Sequence, residues 1–302
     1  NNSGKFKKYT NVRLSLRSDS NVPSPDVNTA ARSRGFSQNI ASPFYQMEGP
    51  GIENDKVAFR AFFDYRNGKD IYGKIVDSTV LENVGVGASW HTLQSWGMDI
   101  LKVGNSLGAG ALAISENGQL FRLGDADSTY FKTLYEGAVR ATFKLDFNNW
   151  DVGTVRQSGS EYISIMKGNY FYKNEVVLPL KPNQKLVAGM ANFGLGNATY
   201  KKHNTVFSSI STYGKQAEGT TTNLGLAIMF SNDDYLNNYT SGDSATIPNT
   251  SYVVLKNGHK KTIYFFACWE QSDPRFKTKE GFEKYLNDAA LLLANPIQVK
   301  IN

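Results

Sequence analysis

The chain has 302 residues, 40% hydrophobic and 13% aromatic, enough to bury a large core, and its charged residues (20%) form no like-charge run or Pro-rich tract of a disordered arm. A formal charge of +6 and an isoelectric point near 9.1 favour anionic partners, but the lysines and arginines are scattered, so no nucleic-acid stripe is formed. No run of about 18 apolar residues occurs, so no membrane-spanning helix is expected. The lone cysteine, Cys268, lies in an apolar run and reads as a small core residue. The polar start at Asn1 without an apolar signal core fits an exported, processed product. One domain over residues 1–302 is expected, with 1–45 its least readable segment.

In chain order, three Asn-Gly pairs, Asn67-Gly68, Asn117-Gly118 and Asn257-Gly258, lie between segments rich in β-branched and aromatic residues and read as hairpins. They turn 57–65 into 71–76, connect the two halves of 111–123, and turn 252–255 into 262–269. Further strands are expected at 139–147, 162–166, 175–180, 186–193 and 224–230. Residues 262–269 are apolar on both faces, as in a strand between two layers. The polar stretch 232–250 reads as a rim loop. Residues 278–293 place Phe282, Leu286, Ala289, Ala290 and Leu293 at spacings of three and four behind a Thr278 N-cap, which predicts a helix covering a sheet edge or face. The pattern implies an all-β, two-sheet antiparallel sandwich with a C-terminal helix.

Two polar clusters could carry chemistry. In the first, 48–74, the strand alternation puts Val57, Phe59, Ala61 and Phe63 on one face and Ala58, Arg60, Phe62 and Asp64 on the other. Arg60 then reads either as half of a structural ion pair or as a fork for a ligand carboxylate. Glu53 and Asp55 read as structural. The second cluster, 90–102, holds His91, the one of three histidines set among aromatics, either satisfied by backbone or acting as a general acid or base. In a plain strand Asp99 and Lys102 face opposite sides, and Lys102 is taken as the inward one. Trp96 and Trp269 offer flat faces to sugar rings, or fill core. Gly104, Gly108 and Gly110 match no P-loop and suggest tight packing or a bulge. No transition-metal ligand spacing is present, and no cofactor is implied.

The segments Gly-Pro-Gly-Ile-Glu-Asn-Asp-Lys-Val-Ala-Phe-Arg60, Asp-Tyr-Arg-Asn-Gly-Lys-Asp-Ile-Tyr-Gly-Lys74 and Ser-Trp-Gly-Met-Asp-Ile-Leu-Lys-Val-Gly-Asn-Ser-Leu-Gly-Ala-Gly110 resemble the family labelled domain of unknown function 4861. That family occurs in exported proteins of polysaccharide-utilising Bacteroidota. The resemblance runs from about residue 49 to 301; the first 45 residues and the 232–250 loop match nothing in it. It implies a supersandwich of the galactose-mutarotase kind, and dehydration of a non-reducing terminal uronic acid, as in ulvan breakdown, to leave a 4,5-unsaturated sugar.

Such a reaction takes the C5 proton beside a carboxylate, so cations must neutralise the second charge that builds there. A base must accept that proton and an acid must protonate the leaving 4-hydroxyl. On this basis His91, Arg60, Tyr65 and Lys102 are the expected catalytic residues. Arg66, Lys74, Asp64, Trp96, Asp99 and Trp269 are expected to bind substrate, with Asp64 and Asp99 orienting cations or the histidine. The expected partner is an acidic oligosaccharide. Alternatives are a non-catalytic sugar-binding or mutarotase-like protein, or a glycoside hydrolase with an acid pair drawn from Glu53 or Asp55 and Asp64.

Overall fold

The computed structural model describes residues 7–17, 21–39, 43–124 and 126–297. The chain opens with β1 (Asn11–Arg13), β2 (Thr29–Ser33), β3 (Gly51–Glu53), β4 (Val57–Ala61), β5 (Lys69–Lys74) and β6 (Gly97–Asp99). It continues through β7 (Ala109–Glu116), β8 (Gln119–Arg122), β9 (Ala126–Glu136), β10 (Arg140–Val152), β11 (Val155–Met166), β12 (Phe171–Val177) and β13 (Gln184–Ala191). It closes with β14 (Thr199–Lys202), β15 (Phe207–Gly214), β16 (Leu224–Ser231), β17 (Tyr235–Ser241), β18 (Thr250–Leu255), β19 (Lys260–Trp269) and the helix α1 (Lys279–Ala294).

The class is the expected one: all-β, antiparallel, with a C-terminal helix. The strands form three sheets: a nine-stranded one ordered β14-β15-β16-β19-β12-β11-β10-β9-β2 and two five-stranded ones, β1-β3-β4-β5-β6 and β17-β18-β13-β7-β8. Among the described residues a single bridge, Lys69 to Gly108, joins the two smaller sheets. Both pack on the nine-stranded sheet. Phe59 of β4 meets Tyr172 and Phe265 at ring-centroid distances of 4.9 and 6.0 Å, and the Tyr172 hydroxyl donates to the Ala109 carbonyl of β7 at 2.6 Å. The arrangement is thus two layers around one aromatic core.

The glycine cluster serves this junction. A Cβ at Gly108 would lie 2.1 Å from the Lys69 carbonyl oxygen, so the bridge needs glycine there. Gly110 (φ +84) is a bulge residue, because Ala109 and Ala111 pair with the consecutive residues Met190 and Gly189.

Strand β19 lies inside the nine-stranded sheet, between β12 and β16. Ile263, Phe265, Ala267 and Trp269 are buried on one face; on the other, Phe266 packs on Tyr285 of α1. Burial raises the Cys268 thiol pKa. The helix starts where the pattern places it, the Thr278 hydroxyl accepting from the Gly281 amide at 3.1 Å.

Three expectations need correction. Asn117-Gly118 makes a hairpin of β7 and β8, both residues at positive φ (51° and 82°), as a type I′ turn demands. Asn257-Gly258 makes none, because β18 and β19 belong to different sheets. The Asn257 side chain instead donates to the carbonyls of Leu180 and Lys181, tying down a layer-crossing loop. After Asn67-Gly68, β4 and β5 do pair, but across a loop at 62–68 rather than a two-residue turn. Finally, the polar 232–250 stretch contains β17, which among the described residues pairs only with β18, as an edge strand; exposure, not irregularity, explains its polarity.

The helix is also pinned by His203, whose Nδ1 lies 2.6 Å from Asn287 Oδ1 and whose Nε2 lies 2.8 Å from Ser209 Oγ. Burial lowers the His203 pKa below the ordinary 6.5, against the hydrogen bond to Asn287; Lys201 lowers it further and Glu283 opposes. A base with a depressed folded-state pKa contributes stability that is present above its unfolded pKa and lost as pH falls through the folded one. The thermal stability of the wild type is therefore expected to fall as pH drops below about 6.5. A His203→Gln variant should flatten that part of the profile; an unchanged slope would exclude His203 as its source.

Candidate functional site

One face of the small sheet β1-β3-β4-β5-β6 turns its apolar residues, Phe59, Ile71 and Met98 among them, to the core. The opposite face carries charge, since the register sets Arg60 opposite Asp70 and Tyr72 opposite Asp99. The Arg60 guanidinium is shared: its Nη2 is 2.5 Å from Asp70 Oδ2 and 3.2 Å from Asp99 Oδ2, and its Nη1 donates to the Met47 carbonyl at 3.4 Å. Three rings surround it: Phe62, Tyr72 and Trp90, with centroids at 4.7, 5.3 and 5.4 Å. Burial opposes the charge on Arg60, but Tyr72, Asp70, Asp99 and Glu48 more than reverse this and hold its pKa well above the usual arginine value. One cation serves two buried carboxylates. Desolvation, reinforced by Asp70, therefore raises the Asp99 pKa despite Arg60.

His91 stands at the edge of this cluster. Its side chain is 56% exposed and its Nδ1 is 3.8 Å from Asp99 Oδ2, too long for a hydrogen bond. Trp96 is half-buried, edge-on to Tyr72 at 6.0 Å. Arg60, Asp99 and His91 are thus brought together, but Arg60 is 4% exposed and already occupied by carboxylates. Its role here is the structural ion pair.

Other expected site residues are closed off. Lys74 was expected to bind substrate, but its side chain is fully buried and its ammonium is held by Glu53 and the Asn54 carbonyl. Glu53 in turn accepts the Val80 and Leu81 amides, anchoring the loop over the sheet. Trp269 cannot be a sugar platform: it is 1% exposed and donates to Thr222. The expected orientation at 99–102 is reversed. Asp99 points inward because Arg60 compensates it, while the Lys102 side chain is exposed, its Nζ 4.6 Å from the Phe193 ring centroid.

An open hollow of about 400 Å3 lies at the other end of the same motif, lined by Phe62, Tyr65, Arg66, Asn105, Arg122 and Asp243 among others. Phe62 joins the two regions, with the Arg66 guanidinium 4.1 Å from its ring centroid. Asp64 grips Arg66 with both oxygens, and Glu48, in the left-handed region at φ +63°, adds a 2.7 Å contact. Arg66 is thereby largely neutralised. Tyr65 is 52% exposed.

Arg122 differs. Its Nη2 donates to the Asn105 carbonyl, and among the described residues no carboxylate pairs with it. Burial lowers its pKa. The hollow thus holds a partly desolvated cation in want of an anion. Sequence reading missed Arg122 because it ends a hairpin strand outside both motifs; an arginine in the alternating 119–122 strand was the available signal.

With this geometry in view, the family model for the domain of unknown function DUF4861 matches residues 1–299. The chain belongs to the DUF4861 family. The match includes the first 45 residues and the 232–250 stretch, where the resemblance had been expected to stop. Uncharacterized protein P7 of Formosa agariphila is 22% identical over 278 residues, 82% of this chain; the match takes in 66% of that protein, so this DUF4861 chain spans under two thirds of its relative. Among solved structures, a putative kojibiose phosphorylase from human microbiome has a TM-score of 0.39 at 10% identity, covering 96% of this chain and 37% of that one. An alpha-mannosidase from Enterococcus faecalis V583 has a TM-score of 0.38 at 6% identity, covering 93% and 40%. The alpha-N-acetylgalactosaminidase NagBb of Bifidobacterium bifidum, as a quadruple mutant, has a TM-score of 0.38 at 9% identity, covering 78% and 38%.

Removing Arg60 from this DUF4861 domain would leave two buried carboxylates without their cation. Arg60→Ala is expected to cost about 3–5 kcal/mol in urea unfolding, and His91→Ala less than about 0.5 kcal/mol. Equal losses in the two variants would contradict the assignment of Arg60 to structure.

Proposed function

We propose that the protein removes water from the terminal uronic acid of an acidic oligosaccharide, with the sugar carboxylate seated on Arg122. The observation that carries this is the Arg122 guanidinium, partly buried and without a carboxylate partner among the described residues, in a hollow also lined by Tyr65 and Asp243. A desolvated guanidinium matches a carboxylate in geometry and charge and would stabilise the dianion formed when C5 loses its proton. Asp243 accepts the C5 proton. The Tyr65 hydroxyl gives its proton to the departing 4-hydroxyl, which leaves as water, and solvent returns the proton from Asp243 to Tyr65. The family resemblance supports this chemistry; His91, outside the hollow, has no part in it.

The glycoside-hydrolase reading loses its acid pair. Glu53 is closed in with Lys74, Asp55 accepts the Gly168 amide at 2.7 Å, and Asp64 is held by Arg66. Among the described residues Asp243 is the one carboxylate lining the hollow, whereas hydrolysis requires two.

Incubation with oligosaccharides ending in uronic acid should raise the ultraviolet absorbance of the conjugated product and yield a mass one water lighter. Arg122→Met should lower kcat/KM by about 10²–10³, and Tyr65→Phe should lower kcat more than it raises KM. Cleavage into two sugars would replace dehydration by a lyase reaction, and flat traces on every uronate-ended substrate would sink both.

A further inference from the structure

Beyond Asp243 the surface continues into a second hollow of about 520 Å3, walled by Phe193, Asn197, Asn249 and the open backbone of Gly194 and Gly196. Asp243 lines both hollows. The seam between them carries little side chain. Gly104 of the first hollow faces Phe193 of the second, and even a Cβ there would approach the ring to 3.3 Å. Gly104 also sits at φ +50°, where any other residue would be strained.

The two linings differ in chemistry. The first carries Arg66 and Arg122; the second has no lysine or arginine among its described lining residues and offers amides, hydroxyls and exposed backbone beside the shared Asp243 carboxylate. Some of these groups are occupied. Asn192 bonds to Gly196 and Ser251, Thr240 to Ser251, and Ser241 to Ile247. The side-chain amides of Asn197 and Asn249 have no hydrogen-bond partner among the described residues. Each offers two donors and an acceptor, the complement of a ring studded with hydroxyls. Each hollow also falls within the roughly 300–1,000 Å3 of pockets that enclose a small ligand.

Resting on the uronate reading above, we infer a second subsite for the sugar next to the uronate: the charged ring sits at Arg122 and an uncharged ring crosses the Gly104 seam to lie against Phe193, bound by Asn197 and Asn249. These two asparagines touch no reacting atom.

The test is calorimetric titration with D-glucuronate and with a disaccharide of glucuronate linked to a neutral hexose. The disaccharide should bind at least about tenfold tighter. The double variant Asn197→Ala, Asn249→Gly should remove that gain and leave monosaccharide affinity unchanged; glycine is used at 249 because its φ is +49°. Retained monosaccharide binding also shows that the variant is folded. Equal affinities in the wild type, or a gain that survives the double variant, would overturn the second subsite alone. Binding of neither sugar would overturn the uronate reading along with it.

Discussion

Two guanidinium groups share one phenyl ring. Arg60 lies 4.7 Å and Arg66 4.1 Å from the centroid of Phe62, and each arginine is held by a pair of carboxylates: Asp70 and Asp99 for the first, Asp64 and Glu48 for the second. Like-charged groups tolerate this proximity because four acidic side chains surround two cations and the ring faces are electron-rich. The constraint orders the 62–68 loop, which in turn places Tyr65 and Arg66 at the rim of the hollow. Buried ion pairing on the small sheet is thus the support of the site rather than the site itself.

That division also explains which parts of the molecule were legible in the sequence. Helix α1 was readable because its apolar spacing and its Thr278 cap agree, and β19 because it is apolar on both faces. The inward and outward alternation of β4 was readable for the same local reason. Local pattern fails where a long-range partner decides. Asp99 is inward only because Arg60, far away in sequence, compensates it, and Lys102 is outward as a consequence of the chain reversing its expected sense there. Asn257-Gly258 has turn composition, but its side chain serves another loop.

The candidate site shows the same limit. Tyr65, Arg66 and Asp64 could be named from the motif because the loop that carries them is continuous in sequence. Arg122, Asn105 and Asp243 come from three further segments; the bridge between Lys69 and Gly108, which sets the two smaller sheets side by side, and the Asn67 side chain, which donates to the Leu123 carbonyl at 3.0 Å, help bring them to that loop. Lys74 was named for its place beside a polar motif and Trp269 for its flat ring; both look available until burial is known.

A crystal structure with a uronic-acid-ended disaccharide bound tests the central claim most directly. The account requires the sugar carboxylate within hydrogen-bond distance of the Arg122 guanidinium, with Tyr65 and Asp243 flanking the C4–C5 bond. A sugar lodged instead beside His91 and Trp96, with the Arg122 hollow left to solvent, would contradict it.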